Sequence, residues 1–368
     1  MVSSSTPPPL VLITGANGHI GFRVLVFVLR AGYRVRACVR NADKQELILA
    51  AQSIKELDPG TALEFAVIPD LLRDDAYDDA VQGVTIAVHI GGPIAHGDED
   101  LATLDETLVQ PSVRGTMNML RACEKSRSVR RVVLTSSVIA LVPWRSWLLE
   151  ESSETYDERS RVPDDHAVHP PFSMAWEAYS NAKILSLNAT ERWVRDRRRE
   201  LGFDVVNMHP SVVIGPHELA RSKAELVAGV NFAVIMCVMG QVSPYAIPGV
   251  TVHVDDVAEA FVRVLDGSKV GTGEDGLLSV IAHSGGPAGT VWDDVLEIVR
   301  EKWPRLVERG VLPCTGSQPS KKVRFDAESS ERVLGIKFRG YEKQVESLFE
   351  QWIPLLEKEG GDVKGRVV

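Results

Sequence analysis

Short apolar runs alternate with longer amphipathic segments over the first 210 residues or so. Six of the runs read as buried strands: LVLIT (10–14), YRVRACV (33–39), ALEFAVI (62–68), VTIAVHI (84–90), RVVLTSS (131–137) and FDVVNMH (203–209). They are apolar on both faces, as central strands of a parallel sheet must be. The segments between them carry the helical period that supplies the covering layers. The pattern predicts an α/β fold, a doubly wound parallel sheet over residues 10–210.

The regularity breaks after HPSVVIGPHE. Pro210, Gly215, Pro216, Pro244, Pro248 and Gly249 punctuate the chain around an apolar segment, 226–240. VTVHVDDVAEAFVRVLD then reads as a short strand running into a helix with acidic residues in its first turn, a return to the sheet near 250–268. Further helices are expected at 289–302, about 325–334 and 341–358. Residues 211–249 and 269–360 therefore form a smaller, mainly helical substrate-binding region, and residues 1–9 a disordered tail.

Composition narrows the function classes. The chain has 368 residues and a formal net charge of −9, which argues against sequence-independent nucleic-acid binding, since that needs a basic surface. The apolar segment 226–240 contains Asn231 and is shorter than the ~20 residues of a membrane span, so a buried helix or cleft wall is expected and no membrane association. Cys38, Cys123, Cys237 and Cys314 are far apart and form no C-x-x-C, which implies free thiols, no metal site and a reducing compartment. The N-terminus lacks a basic region followed by an apolar core, so no secretory signal is read there. A cytoplasmic protein is expected, as monomer or homodimer.

The first strand ends in TGANGHIG, with glycines at 15, 18 and 21, and a helical segment follows. Gly15 permits the tight turn, Gly18 lets the backbone approach a pyrophosphate, and Gly21 lets the helix pack on the sheet. The helix start that spans Asn17, Gly18, His19 and Ile20 offers free N–H groups to the anion. A lone glycine triplet is weak evidence; a strand before it and a helix after it make a Rossmann-type dinucleotide site. In YRVRACVRNADK the second strand ends without a carboxylate. Arg36, Arg40 and Lys44 are basic, and a guanidinium can hold the 2′-phosphate that a carboxylate would repel. NADPH is the cofactor expected, with Arg40 and Lys44 as its contacts.

RVVLTSS ends in Ser136 and Ser137 at the carboxyl end of a strand, where open parallel sheets place their ligands. Some forty residues later EAYSNAKILS holds Tyr179 and Lys183, one helical turn apart on one face. A pair at this spacing is common on helix surfaces, but here it follows a phosphate loop and a strand-end serine. The G-x-x-G-x-x-G spacing, the second serine of the pair and Y-x-x-x-K resemble the extended branch of the short-chain dehydrogenase/reductase superfamily. TGANGHIG, VRACVRN, DLLRDDAYDDAVQGV, PSVRGTMNML, RRVVLTSS, YSNAK, HPSVVIGP and VHVDDVAEAF occur in the order seen in dihydroflavonol-reductase-like proteins. Within that group the sequence is most similar to fungal and yeast NADPH-dependent aldehyde and carbonyl reductases, over about residues 10–355.

The resemblance implies that Ser137, Tyr179 and Lys183 are catalytic and reduce a carbonyl. Tyrosine, with a pKa of about 10, is too weak an acid near neutrality; a nearby ammonium lowers it, and about three units requires about 4 kcal/mol. The Ser137 hydroxyl would donate to the carbonyl oxygen as charge develops. Lys183 and Tyr179 would also border the nicotinamide ribose. Asp70 and Leu71 would border the adenine, His89, Gly91 and Gly92 the cofactor after the fourth strand, and Pro210 and Ser211 the nicotinamide side. Two departures stand out: Gly91 and Gly92 replace the alanine or serine of many relatives, and Ser112 stands where many single-domain relatives have a catalytic asparagine.

The segment between Ser137 and Tyr179 carries Trp144, Trp147, Met174 and Trp176. With Phe232 and Met236 they either form a hydrophobic pocket for an apolar or aromatic carbonyl compound or anchor the loop on the sheet. His166 and His169 are expected on the surface. Two other readings stay open: a 3β-hydroxysteroid-dehydrogenase-like or nucleotide-sugar-modifying enzyme, which the basic second strand disfavours, and an inactive NADP(H)-sensing protein, which the intact Tyr179 and Lys183 disfavour.

Overall fold

The computed structural model describes residues 7–95 and 99–359; positions 1–6 of the expected tail, and residue 360 of the expected substrate region, lie outside the described residues. Seven strands form one sheet: β1 (Leu10–Thr14), β2 (Arg34–Val39), β3 (Leu63–Val67), β4 (Ile86–His89), β5 (Arg131–Thr135), β6 (Asp204–Pro210) and β7 (Leu277–Ala282). Their spatial order is β7-β6-β5-β4-β1-β2-β3, and every pairing is parallel. The order reverses between β1 and β4, which opens a crevice at the carboxyl ends of these two strands.

Six of the strands fall on the runs read from the sequence. The seventh, LLSVIA, comes from the stretch assigned to the substrate region, so that boundary is corrected. Its six residues are as apolar as the central strands, but they lie some sixty-five residues beyond β6 in the chain, past the break in regularity, and β7 joins the sheet at its edge beside β6.

Helix α1 (His19–Arg30) follows β1; α2 (Gln110–Ser126) and α3 (Ala175–Arg197) cover the opposite face. Next come α4 (Phe232–Val238), α5 (Val254–Leu265), α6 (Asp294–Lys302) and α7 (Tyr341–Glu359). On one face α1 packs against α5: Phe22, Leu25 and Val28 share a core with Val257, Phe261 and Val264. Each such buried side chain contributes about 1.5–3 kcal/mol. Arg23 grips both carboxylate oxygens of Asp255, at 2.5 and 3.0 Å, and ties the two helices together. On the other face Met119, Leu120 and Cys123 of α2 meet Trp193 and Val194 of α3. The expected strand-to-helix return is therefore a covering helix, α5, led in by a short strand, Thr251–His253, that pairs with Val212–Ile214 outside the main sheet.

A separate core holds the C-terminal region. Ile235 and Val238 of α4, Val295 and Val299 of α6, and Phe349 and Trp352 of α7 pack around the fully buried Trp292. This region grips the loop after β5: Arg324–Phe325 pairs with Thr155–Tyr156, and Lys321 donates to the Glu150 carbonyl at 2.5 Å. All four cysteines are buried free thiols. Among the described residues no cluster of acidic, histidine and cysteine side chains could hold a metal ion, and no helix is long and apolar enough to cross a membrane.

Candidate active site

A cleft of about 640 Å³ lies at the carboxyl ends of β1, β4 and β5. The turn after β1 forms its floor, and glycine is required there. Gly15 has φ +67°, in the left-handed region. A Cβ on Gly21 would fall 2.1 Å from the Gly15 carbonyl oxygen, so α1 packs on this turn only without a side chain. A Cβ on Gly91 would meet the Gly15 backbone nitrogen at 3.0 Å, which explains glycine where relatives tolerate larger residues; Gly92 has no such constraint. Thr14 locks the two loops together: its hydroxyl meets His89 Nδ1 at 2.9 Å and accepts from Ile90 and Gly91 N–H at 3.0 Å.

Gly15, Asn17, Arg40, Asp70, Leu71, His89, Gly91, Gly92 and Lys183 all line the cleft. The backbone of Gly18, His19, Ile20 and Gly21 forms the turn into α1 beneath it. Arg40 is exposed at the cleft rim and makes no hydrogen bond or ion pair with the described residues. Arg36 is occupied elsewhere: it donates to Glu64 at 2.6 Å and to the carbonyls of Ala80 and Gln82. Lys44 stands exposed on the helix Ala42–Leu49, away from the lining. Asp70 turns its carboxylate back on the Leu72 N–H, and buried Asn118 holds the same loop by donating to the Arg73 carbonyl at 2.9 Å.

Several lining residues keep a buried polar atom without a partner in the protein: Thr135 Oγ1, Ser136 Oγ, Ser186 Oγ and Asn207 Nδ2. Unpaired buried polar groups are costly, and native proteins satisfy nearly all of them. A cofactor rich in hydroxyls and phosphates supplies the missing partners. The glycine turn and these orphaned groups fit a bound dinucleotide.

Ser137, Tyr179 and Lys183 converge where β5 meets α3. The Ser137 hydroxyl lies close enough to the Tyr179 phenol to pull its pKa down. Lys183 lies 5.6 Å from the centre of the Tyr179 ring and donates to the Thr135 carbonyl at 3.1 Å. Burial pushes the Tyr179 phenol up to about 12, against the Ser137 hydroxyl that pulls it down. Burial also lowers the Lys183 ammonium to about 8. Burial is thus the largest influence on the phenol, as it is on the ammonium. The other serine of the pair, Ser136, sits on the cleft side.

The aromatic side chains of the following loop divide. Trp144 is 4% exposed and Trp147 8%, both within the main hydrophobic core, where they anchor the loop. Of the two roles open to them, their burial fits the loop anchor. Trp176 is 46% exposed and meets the Tyr179 ring edge-on at 5.6 Å, and Met174 beside it is exposed. Phe232 is exposed at the start of α4, with Met236 one turn on, partly buried against the C-terminal core. Pro210 ends β6, and the Ser211 hydroxyl is turned to the Ala282 carbonyl rather than into the cleft. His166 and His169 are exposed.

A model of the NAD dependent epimerase/dehydratase family matches residues 11–275. The chain belongs to that family. It is 35% identical to ketoreductase CTB6 of Cercospora beticola over 357 residues, which span 96% of this chain and 97% of the relative. It is 37% identical over 357 residues to the NAD-dependent epimerase/dehydratase ALT6 of Alternaria alternata, spanning 92% and 96%. The fold matches the crystal structure of yeast methylglyoxal/isovaleraldehyde reductase Gre2 complexed with NADPH, with TM-score 0.75, 23% identity, and coverage of 95% and 99%. The chain is an NAD(P)-dependent reductase of the extended short-chain type.

Sequence reasoning missed several residues of this reductase's site. Thr14 and Asn118 brace the glycine turn and the Asp70 loop, and Asn207 and His209 lie on β6. The last two carried a signal: polar residues two apart in an otherwise apolar strand share one face and need partners there. Thr14 and Asn118 carried none, since a threonine at a strand end and an asparagine in a helix are ordinary.

Proposed function

We propose that this chain reduces an aldehyde or ketone to the alcohol with NADPH, with Tyr179 as proton donor. The convergence of Ser137, Tyr179 and Lys183 beside the cleft carries this reading. Reduced NADP, when held by the glycine turn and Lys183, would supply the hydride to the carbonyl carbon. Tyr179, held protonated by burial, gives its proton to the carbonyl oxygen. The Ser137 hydroxyl steadies that oxygen as charge builds, and the Lys183 ammonium stabilises the phenolate left behind. Arg40, unpaired at the rim among the described residues, would hold the 2′-phosphate, which favours NADPH over NADH. The ketoreductase names of similar fungal proteins support carbonyl reduction, and the buried thiols support a cytoplasmic setting.

Trp176 and Met174, exposed beside Tyr179, favour hydrophobic or aromatic carbonyl compounds. Burying one such side group contributes about 1.5–3 kcal/mol, roughly a 10- to 150-fold preference over a charged analogue. The test is NADPH consumption with matched phenyl, alkyl and carboxylate aldehydes and ketones. Turnover led by the phenyl and alkyl compounds is expected; tight NADPH binding without turnover on any of them would make the chain a cofactor sensor.

A further inference from the structure

His209 is fully buried at the end of β6, and its ring nitrogens meet neither a cleft-lining residue nor a charged group. Its Nδ1 lies 3.3 Å from the main-chain carbonyl oxygen of Ser137, and its Nε2 lies 3.2 Å from the Ser279 hydroxyl on β7. That hydroxyl accepts from Arg161 Nη2 at 2.9 Å. Arg161 in turn holds buried Glu191 at 2.5 Å and the carbonyls of Glu158 and Ser160.

The direction of every bond in this chain is determined. A carbonyl oxygen only accepts, so His209 Nδ1 must carry the proton. Burial, with the nearby Arg161 and Lys183 charges adding to it, lowers the His209 pKa to about 3, so the ring is neutral. Its Nε2 is then an acceptor. The Ser279 hydroxyl donates to it, and the guanidinium of Arg161, always protonated, donates to Ser279. The Ser137 carbonyl receives His209 on one side and the Ala140 N–H on the other, at 3.0 Å. The Ser137 hydroxyl also accepts from the Ile139 N–H at 3.3 Å, and the preceding Ser136 N–H donates to Met208, next to His209, at 2.8 Å.

We propose that His209 is a positioning residue: the relay Arg161–Ser279–His209 clamps the backbone of Ser137 and aims its hydroxyl at the Tyr179 phenol and the reacting carbonyl. This rests on the reading of Ser137 as the group that steadies the carbonyl oxygen. Misplacing a catalytic group by about 1 Å can cost on the order of 100-fold in rate, so a clamp on the backbone of Ser137 acts on kcat.

The test uses the full chain with NADPH and a carbonyl compound that it turns over. His209→Leu, which removes both bonds at similar volume, should lower kcat roughly 10- to 50-fold, with the NADPH Kd and the carbonyl KM within about twofold. His209→Asn restores an N–H donor near Nδ1 and should recover most of the loss. Ser137→Ala and the double variant Ser137→Ala/His209→Leu should be equally slow, because His209 acts through Ser137. In a proton–nitrogen correlation spectrum of histidine-labelled protein, the signal lost in His209→Asn should be that of a neutral ring protonated at Nδ1.

Normal kcat in a folded His209→Leu, losses that multiply in the double variant, or a ring protonated at Nε2 would each overturn the clamp. Should His209→Leu not fold, His209→Asn and Ser279→Ala decide: the clamp requires near-normal kcat in the first and a severalfold loss in the second. If Ser137→Ala itself keeps full kcat, the assignment of Ser137 is what fails, whatever His209 does.

Discussion

The two sides of the cleft are built on different terms. The dinucleotide side is made of backbone and small polar groups. Gly15 and Gly21 are fixed by φ and by a 2.1 Å approach, and Thr135, Ser136, Ser186 and Asn207 hold unpaired polar atoms ready. The side around Tyr179 proposed for the substrate is bordered by apolar side chains, and the core competes for them: Trp144 and Trp147 go inward, while Trp176 stays out beside Tyr179. A site defined by backbone tolerates almost no variation in residue type. A site defined by apolar side chains depends on which of them folding leaves uncovered.

The most severe break is made at the point where the sides meet. Tyr179→Phe keeps the ring and its edge contact with Trp176 but removes the proton donor. The turnover rate should fall about 10²- to 10⁴-fold, the usual contribution of general acid catalysis. The NADPH Kd, measured by fluorescence titration, should hardly move. Near-normal turnover would detach the chemistry from this residue and leave the cleft a binding site alone.

Next comes the division among the tryptophans. Trp144→Ala should destabilise the fold by about 3–5 kcal/mol, the range for deleting a buried tryptophan. Trp176→Ala should change stability by less than about 0.5 kcal/mol, as an exposed position does, while shifting kcat/KM between phenyl and alkyl carbonyl compounds. Urea denaturation and a matched substrate series measure the two effects. A stable Trp144→Ala with altered substrate choice would restore that residue to the pocket wall.

This contrast also explains what could be read from the sequence. The glycine spacing, the strand-end serines and the Tyr179–Lys183 pair are local patterns, each confined to a few residues on one element, so the dinucleotide-type fold and a cleft at the carboxyl ends of the strands followed from them. β7 was hidden because it joins the sheet from far along the chain, beyond the irregular stretch that follows β6. Trp144 and Trp147 looked identical to pocket residues because hydrophobicity does not say which surface will cover a side chain. Burial of the Tyr179 phenol is hidden for a related reason: it is a property of the assembled fold, and no local pattern reports it.

Cofactor choice sharpens the first side of the comparison. Arg40 has no partner among the described residues, whereas Arg36 already serves Glu64 and two carbonyls. Arg40→Ala should weaken NADPH by about 1.5–3 kcal/mol, as for a hydrogen bond to a charged group, and leave NADH unchanged. Arg36→Ala should instead lower thermal stability and affect both cofactors alike. Equal losses for NADPH and NADH in Arg40→Ala would remove it from the 2′-phosphate.

The mildest effect is a pH limb. The Lys183 ammonium is present below about pH 8 and lost above it, because burial lowers its pKa to about 8. The phenol, raised to about 12, stays protonated across the same range. Loss of activity with rising pH therefore reports Lys183 and not Tyr179. The rate of carbonyl reduction should be level up to about pH 7 and decline above pH 8, approaching tenfold per unit. Lys183→Arg keeps the charge to far higher pH. Its rate will be lower, since a planar guanidinium cannot reproduce the ammonium's geometry, but its limb should disappear from this window. Stability carries its own sign. Because the folded pKa lies below the ordinary lysine value, the charged Lys183 weighs against the fold at neutral pH, and the penalty fades as pH rises beyond 8. Activity and the Lys183 contribution to stability thus run in opposite directions above pH 8. A limb that persists unchanged in Lys183→Arg would assign it to another group and sever the link between the buried ammonium and the chemistry.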